Sequence, residues 1–319
     1  MILVAGEALI DMTPARCGAG TGYLPHPGGS PYNVAIGLGR LDVPVAFLGR
    51  ISTDAFGRLL RRHLEASRVS LMFLVDAEEA TTLAFVHMGD GEPEYSFYSE
   101  RTADRMLLPE HLPAIPGDAA MHFGSISLAL EPGASTLEGL MRRESRRRLL
   151  SLDPNVRPSL ITDRDAYLRR LEGWVSLADL VKVSQADLAW LHPHQPPEAV
   201  ASRWLELGPA LVLVTLGKDG SLAFGTAARA RAATPEVTVV DTVGAGDAFT
   251  SAALAWLHHQ GALGRGGLEA LDAAKLEVLL AYANGIAAQT CTRPGADPPR
   301  TQEVETVAVM APRGRESGR

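Results

Sequence analysis

The stretch Asp241-Thr-Val-Gly-Ala-Gly-Asp247 has the residue types and spacing of a phosphate-handling turn. Gly244 and Gly246 allow a tight turn and a close backbone approach. Glu236 to Val240 ahead of it reads as a strand, and Asp247 to Gln260 behind it as a long helix stopped by Gly261. Exposed amides at such a helix start, around Gly244, Ala245 and Gly246, make an anion site that the helix dipole strengthens. Asp247 stands at that helix start, where a carboxylate can take a proton from a group attacking the bound anion. A single aspartate there would more simply be a helix cap. Two glycines, a second aspartate and the strand–turn–helix setting favour chemistry.

Competing phosphate motifs fit poorly. Gly217-Lys218 is followed by Asp219, so no Gly-x-x-x-x-Gly-Lys-Ser/Thr loop exists, and Gly244-Ala-Gly246 lacks the third glycine of a dinucleotide fingerprint. Gly18-Ala-Gly20 lies far from any strand–helix junction.

The elements that must position this turn alternate along the chain. Strands are expected at Ile2–Val4, Val45–Leu48, Ala120–Phe123, Leu149–Leu152, Leu180–Val183 and Leu211–Val214. Helices are expected at Asn33–Leu41, Ala55–Ser67, 133–149 and Lys275–Gln289. This alternation argues for a parallel sheet covered on both faces. One segment breaks the rhythm: Thr81–Met88 and Pro93–Ser99 read as a β-hairpin turning at Gly89-Asp90-Gly91. With residues 12–27, read as turns and short strands, it would form a small sheet able to act as a lid. The tail from Arg313 has no apolar period and reads as disordered.

Composition narrows the classes. In 319 residues, 30 Lys plus Arg face 37 Asp plus Glu, a formal charge of −7 that speaks against nucleic acid and anionic lipid as partners. The basic run Arg142-Arg-Glu-Ser-Arg-Arg-Arg148 reads as a solvated helix face. Cys17 and Cys291 make no metal spacing or disulfide framework, so both are expected as reduced thiols in a cytoplasmic protein. No apolar run approaches the ~18 residues of a membrane span. Glu7 and Asp11 interrupt the first apolar stretch, which argues against a signal peptide.

The segment Asp241–Asp247 resembles the C-terminal signature of the ribokinase-like (phosphofructokinase-B type) sugar kinases. Gly28-Gly-Ser-Pro-Tyr-Asn33, followed by Val34-Ala-Ile-Gly-Leu, resembles their N-terminal signature. Pro31, Asp153-Pro-Asn-Val-Arg-Pro158 and Cys291-Thr-Arg-Pro-Gly-Ala296 are similar to the fructokinase-type branch. The 2-keto-3-deoxygluconate kinases share much of this pattern. The resemblance implies an α/β fold: a three-layer α/β/α sandwich with a mostly parallel sheet and a small β lid. It places a core at 1–11, 28–76 and 106–312 and the lid at 12–27 and 77–105.

The same resemblance implies transfer of the ATP γ-phosphoryl group to a sugar hydroxyl with magnesium, and often a potassium ion. Asp247 would be the base and Gly244, Ala245 and Gly246 the anion hole. Asp11, Gly28, Gly29, Asn33 and Arg157 would meet the sugar, as would Arg101, two places beyond the family's usual lid arginine. Ser184, Thr215, Gly217, Gly220 and Asn284 fall at nucleotide-binding positions. Ser184 and Asp187 replace the family's Asn and Glu, so Asp187 would reach magnesium through water; as plain structure they form a weak capping box. Likewise Thr215–Gly220 alone is a hairpin turn and Asn284 a helix-surface residue. The potassium positions are Asp241, Val243, Thr290, Arg293 and Gly295. The exposed edges of a small sheet also favour a homodimer through the lid.

Overall fold

The structure, a computed structural model, describes residues 1–17, 20–87, 94–115 and 117–308. The expected hairpin tip at residues 89–91 and the tail from residue 313 lie outside the described residues.

Among the described residues, thirteen strands form two sheets. They are β1 Ile2–Ala5, β2 Leu9–Cys17, β3 Gly20–Gly28, β4 Val45–Ser52, β5 Ser70–Ala77, β6 Thr82–His87, β7 Glu94–Tyr98, β8 Ala120–Gly124, β9 Leu150–Asp153, β10 Leu180–Ser184, β11 Leu211–Thr215, β12 Ser221–Gly225 and β13 Arg229–Ala232. The helices are α1 Ser30–Arg40, α2 Ala55–Ala66, α3 Gly133–Glu144, α4 Arg164–Leu177, α5 Gln185–Leu191, α6 Pro197–Leu207, α7 Ala245–His259, α8 Arg265–Glu269, α9 Ala273–Thr290 and α10 Thr301–Ala308.

The large sheet runs β13-β12-β11-β10-β9-β8-β1-β4-β5. From β11 to β5 every pairing is parallel, and β12 and β13 close one edge antiparallel. Its strands are apolar at successive positions because both faces are buried. Ile2 and Val4 of β1 join a core with Val34, Leu60, Phe249 and Leu276, from α1, α2, α7 and α9. Leu3 and Ala5 face the other way, onto Leu137, Trp174, Leu188 and Trp204 from α3 to α6. This is the three-layer α/β/α sandwich expected from the sequence.

The second sheet, β3-β2-β6-β7, is small and mixed. Residues 12–17 and 20–27, expected as turns with short strands, belong instead to two paired nine-residue strands. Their prolines are tolerated by position. Pro25 and Pro27 lie on the edge strand β3, and Pro14 lies beyond the stretch of β2 that pairs with β6.

Other boundaries shift for visible reasons. Helix α1 begins at Ser30, ahead of Asn33, with Pro31 in its first turn, and α7 begins at Ala245, two residues before Asp247. Helix α3 stops at Glu144, and Arg146 turns the chain with φ 65°. The basic run therefore spans a helix end and a loop rather than one helix face. No strand forms over residues 236–240. Their β-branched pattern finds no ladder partner, and the Val240 amide bonds to the Cys291 carbonyl at the exit of α9 instead.

Candidate active site

The carboxyl ends of parallel strands are where open α/β sheets bind ligands, and a cavity of about 420 Å³ lies there. Glu7 enters it from the link after β1, Ser125 and Ile126 from beyond β8, Asn155 and Arg157 from beyond β9. The Thr242–Asp247 turn forms another wall, and Tyr95 and Phe97 of β7 cover it from the small sheet.

The turn has the shape its glycines suggest. Gly244 is the N-cap of α7, with φ 76°, and a Cβ there would lie 2.4 Å from the Ala296 side chain. Asp247 is therefore the third helical residue and not the cap. Among the described residues, the amides of Gly244, Gly246 and Asp247 meet no backbone or side-chain acceptor outside the helix. Unpaired amides at a helix start are an anion site.

Asp247 is buried at this point. Its carboxylate accepts from Ser30 Oγ at 2.6 Å and Asn33 Nδ2 at 2.9 Å. Burial pushes its pKa up to about 6, against the pull of those two hydrogen bonds. Asp11 lines the same cavity, and burial lifts it to about 7, opposed by the Arg157 guanidinium. Glu7, also a lining residue, is raised to about 7 by burial.

Beneath the turn, Lys182 Nζ meets Asp153 Oδ2 at 2.9 Å, both groups buried. Thr250 Oγ1 reaches the same Asp153 oxygen at 3.2 Å and the Gly246 carbonyl at 3.0 Å. A Cβ on Gly246 would stand 3.0 Å from Lys182 Nζ. Glycine at 246 thus leaves room for the ammonium.

Gly28 and Gly29 make room of a different kind. A Cβ on Gly28 would collide with Asp11 Oδ2, and Gly29, at φ 105°, backs onto the Glu7 carbonyl. Arg157 lines the cavity. Arg101 does not: β7 ends at Tyr98, the chain turns with φ 52° at Arg101, and its side chain is exposed.

The expected nucleotide positions gather along the neighbouring strand ends. Ser184 and Thr215 are register partners at the ends of β10 and β11. Gly217 and Gly220 take φ 60° and 99° in the hairpin to β12. Asn284 is not a surface residue but 3% exposed, donating to the Ala232 and Ala233 carbonyls. Gly220 packs against that same Ala232 carbonyl.

Ser184 and Asp187 do form the capping box of α5. Asp187 accepts from Ser184 Oγ at 2.6 Å and from the Val156 amide at 2.9 Å. Asp241 ties two loops, accepting from the Val243 amide at 3.0 Å and the Gly295 amide at 2.8 Å. Arg293 pairs with Glu303, and the Thr290 hydroxyl bonds back to Ile286 within α9.

Glu7, Ser30, Asp153, Lys182 and Tyr95 had no role assigned from sequence. Ser30 and Asp153 sit inside recognised segments, while the others become visible only when distant strands meet.

A larger cavity, about 670 Å³, lies at the opposite, amino ends of β8 to β10. It is walled by Arg146, Arg147, Arg148 and Arg265 and by the carboxyl ends of α3 and α4. Arg148 pairs with Glu144 and Arg265 with Asp179 and Glu269. Its arginines meet the negative ends of helices, so the positive charge has a structural use there.

The sequence pattern of pfkB family carbohydrate kinases matches residues 1–303. This chain belongs to that family. Its relatives include the fructokinase of Rhizobium leguminosarum bv. trifolii, 40% identical over 274 residues, 85% of this chain and 84% of that protein. Among solved structures, the Xylella fastidiosa fructokinase with bound ATP superposes with a TM-score of 0.87 at 30% identity, covering 97% of this chain and 98% of that one. The Vibrio cholerae O395 fructokinase bound to fructose, ADP and calcium gives 0.83 at 28% identity, covering 96% and 97%. As a pfkB family member the chain is a carbohydrate kinase, a phosphotransferase with an alcohol acceptor. Among the described residues no helix is long and apolar enough to cross a membrane.

Proposed function

We propose that this carbohydrate kinase is an ATP-dependent fructokinase. The observation that carries the reading is the single cavity that joins unpaired α7 amides, buried Asp247, and the facing Asp11 and Arg157. The amides would cradle the transferring phosphoryl group, where developing charge is met by preorganised donors. Asp247 would accept the sugar hydroxyl proton as the phosphoryl group departs from ADP. A base of this strength cannot ionise a sugar hydroxyl beforehand, so proton transfer accompanies or follows phosphoryl movement. Asp11 would accept from other sugar hydroxyls, and Arg157 would hold sugar or phosphate oxygens.

A neutral sugar suits the cavity better than a sugar acid. Three carboxylates, Glu7, Asp11 and Asp247, line it, against the lone guanidinium of Arg157. Arg101, the other arginine offered by the sequence, lies outside. That charge balance favours fructose over 2-keto-3-deoxygluconate, and Pro31 agrees, as it removes a backbone donor from the sugar loop. The fructose bound by the Vibrio relative supports the same reading.

The nucleotide would lie along Ser184, Thr215, Gly217, Gly220 and Asn284. The Asp187 carboxylate, with acceptor capacity beyond its three protein donors, the Val156 amide and the Ser184 amide and hydroxyl, suits a water-mediated contact with magnesium. That ion would neutralise phosphate charge when bound. The Asp241 loops, 241–243 and 290–295, would offer potassium their carbonyls. The protein would work in a reducing, cytoplasmic setting, with Cys291 a free thiol.

The deciding measurement compares kcat/KM for fructose, 2-keto-3-deoxygluconate and ribose with ATP and magnesium. Fructose should be preferred, and a strong preference for the keto acid would sink the fructokinase reading. By calorimetry, Asp11→Ala should weaken fructose binding by about 1.5–3 kcal/mol and leave ATP affinity unchanged. Unchanged fructose affinity would place the sugar elsewhere.

The small sheet would act as a lid, closing Tyr95 and Phe97 over the sugar. Its other side chains Tyr23, Phe85 and Tyr98 form an edge-to-face aromatic row, with Tyr98 64% exposed. A second copy of the chain would cover that row in a homodimer. Hydrogen exchange should show sugar-dependent protection of β2, β3, β6 and β7, and sedimentation should give a dimer mass. Equal protection with and without sugar, or a monomer at micromolar concentration, would remove the corresponding part.

A further inference from the structure

The Asp247 carboxylate receives both its side-chain donors from α1. Ser30 and Asn33 are three residues apart, hence on one face of the helix. Ser30 occupies the first helical position, behind Gly29. Gly29 must be glycine because φ is 105° and a Cβ would press on the Glu7 carbonyl at 2.8 Å. Glycine brings no capping oxygen, so the helix start lacks a local cap.

Glu7 supplies that cap from 23 residues upstream. Its Oε1 accepts the Ser30 amide at 3.1 Å, while Oε2 accepts from Ser127 Oγ at 2.6 Å. The carboxylate is 2% exposed and sits where the α1 dipole favours negative charge. The Ser30 backbone is thereby clamped between β1, α1 and the 3-10 turn at residues 125–128. Its hydroxyl has one proton to give, and the clamp leaves Asp247 Oδ1, at 2.6 Å, as the acceptor.

We propose that Ser30, clamped by Glu7, is a positioning residue that orients the Asp247 carboxylate and holds it in its anionic form. This rests on Asp247 being the base of the kinase reaction. The other charged groups around Asp247 come from several elements. Asp153 on β9 disfavours its charge, and Lys182 on β10 favours it. Asp11 on β2, Arg157 beyond β9, and Glu7 face the same cavity, as does Tyr95 of β7. None of these except the α1 donors Ser30 and Asn33 gives Asp247 a hydrogen bond from a side chain.

Ser30→Ala should move the acid limb of the kcat/KM profile up by about one pH unit. That shift is the scale of one hydrogen bond lost from a charged acceptor. At pH 6 the rate should fall roughly fivefold more than at pH 8, with the fructose KM little changed. Glu7→Gln keeps an oxygen for the Ser30 amide and should restore the wild-type profile, whereas Glu7→Ala should shift the limb as Ser30→Ala does. A second readout needs no turnover: the carboxyl carbon of Asp247, assigned by its absence in Asp247→Asn, is titrated by NMR in the resting protein. Its midpoint should rise in Ser30→Ala. An unmoved midpoint, or a raised fructose KM with an unmoved limb, would overturn the proposal; the latter would make Ser30 a sugar ligand. If the wild-type protein phosphorylated no sugar, the kinase reading would fail by itself, and the NMR midpoint would still decide the Ser30–Asp247 contact.

Discussion

Asp247→Asn should lower kcat by about 10²–10⁴-fold, the usual worth of a positioned general base, while ATP affinity stays within a few-fold. Asparagine fills the same space and still accepts one hydrogen bond from α1, so the turn and its free amides should survive. The missing function is proton acceptance alone. With Asp247 as the proposed base, the ionised form is the active one. With a pKa pushed up to about 6 by burial, kcat/KM should fall as pH drops through 6 and lie flat above 7. Stability should run the other way. Because the folded-state pKa is raised, the native protein holds its proton where the unfolded chain has lost it. Stability contributed by this site is therefore fully present below the unfolded-state pKa and is lost as pH rises through about 6. Glu7 and Asp11, both raised to about 7, act in the same sense. The imidazoles of His63, His122 and His192, held near 4, 3 and 4 by burial, act in the opposite sense as pH falls, so the Asp247 share is read as a difference: the Tm of Asp247→Asn relative to the wild type should rise from pH 5 to pH 8. A variant that keeps near wild-type turnover at pH 8 would take Asp247 out of the base role.

The opposing trends explain what was and was not legible in the sequence. The parallel sheet could be read because its strands are buried on both faces, which imposes continuous apolar runs such as Leu180–Val183 and Leu211–Val214. The α7 turn could be read because its chemistry needs glycine at 244, where φ is 76°. The small sheet was harder. Prolines at 14, 25 and 27 look like turn residues until it is known which strand edge they occupy. Glu236–Val240 erred in the opposite direction, since β-branched composition supplies propensity but not a partner. Arg101 had the right chemistry two residues along a presumed strand, yet the strand ends at Tyr98 and the exposed Arg101 is not among the residues that line the cavity. Glu7 and Lys182 left no local signal. One caps a helix 23 residues later, and the other pairs with Asp153 across two neighbouring strands. Their meaning is a property of the assembled sheet.

Lys182→Met should destabilise the protein by about 3–5 kcal/mol, the scale for breaking a buried ion pair from one side. Lys182 is 4% exposed and Asp153 is 0% exposed. Burial by itself would drive the Lys182 pKa down, but Asp153 and Asp187 beside it hold the pKa above its ordinary value, so the ammonium stays charged. Its loss would strand the Asp153 carboxylate in the core, with only the Asn155 amide and the Thr250 hydroxyl as donors among the described residues. Adding Asp153→Asn should recover most of the loss. The amide oxygen can still accept from the Asn155 backbone, and its NH₂ can donate to Thr250 Oγ1, whose proton then serves the Gly246 carbonyl. Denaturant midpoints of the single and double variants test this, and a double variant no more stable than Lys182→Met would refute the charge-pairing account. Turnover should separate from stability in the same series. The ammonium lies 3.0 Å from where a Gly246 Cβ would be, directly behind the amides proposed to meet the phosphoryl group. The double variant should therefore regain its fold while its kcat remains depressed, because the packing beneath the turn returns and the positive charge does not.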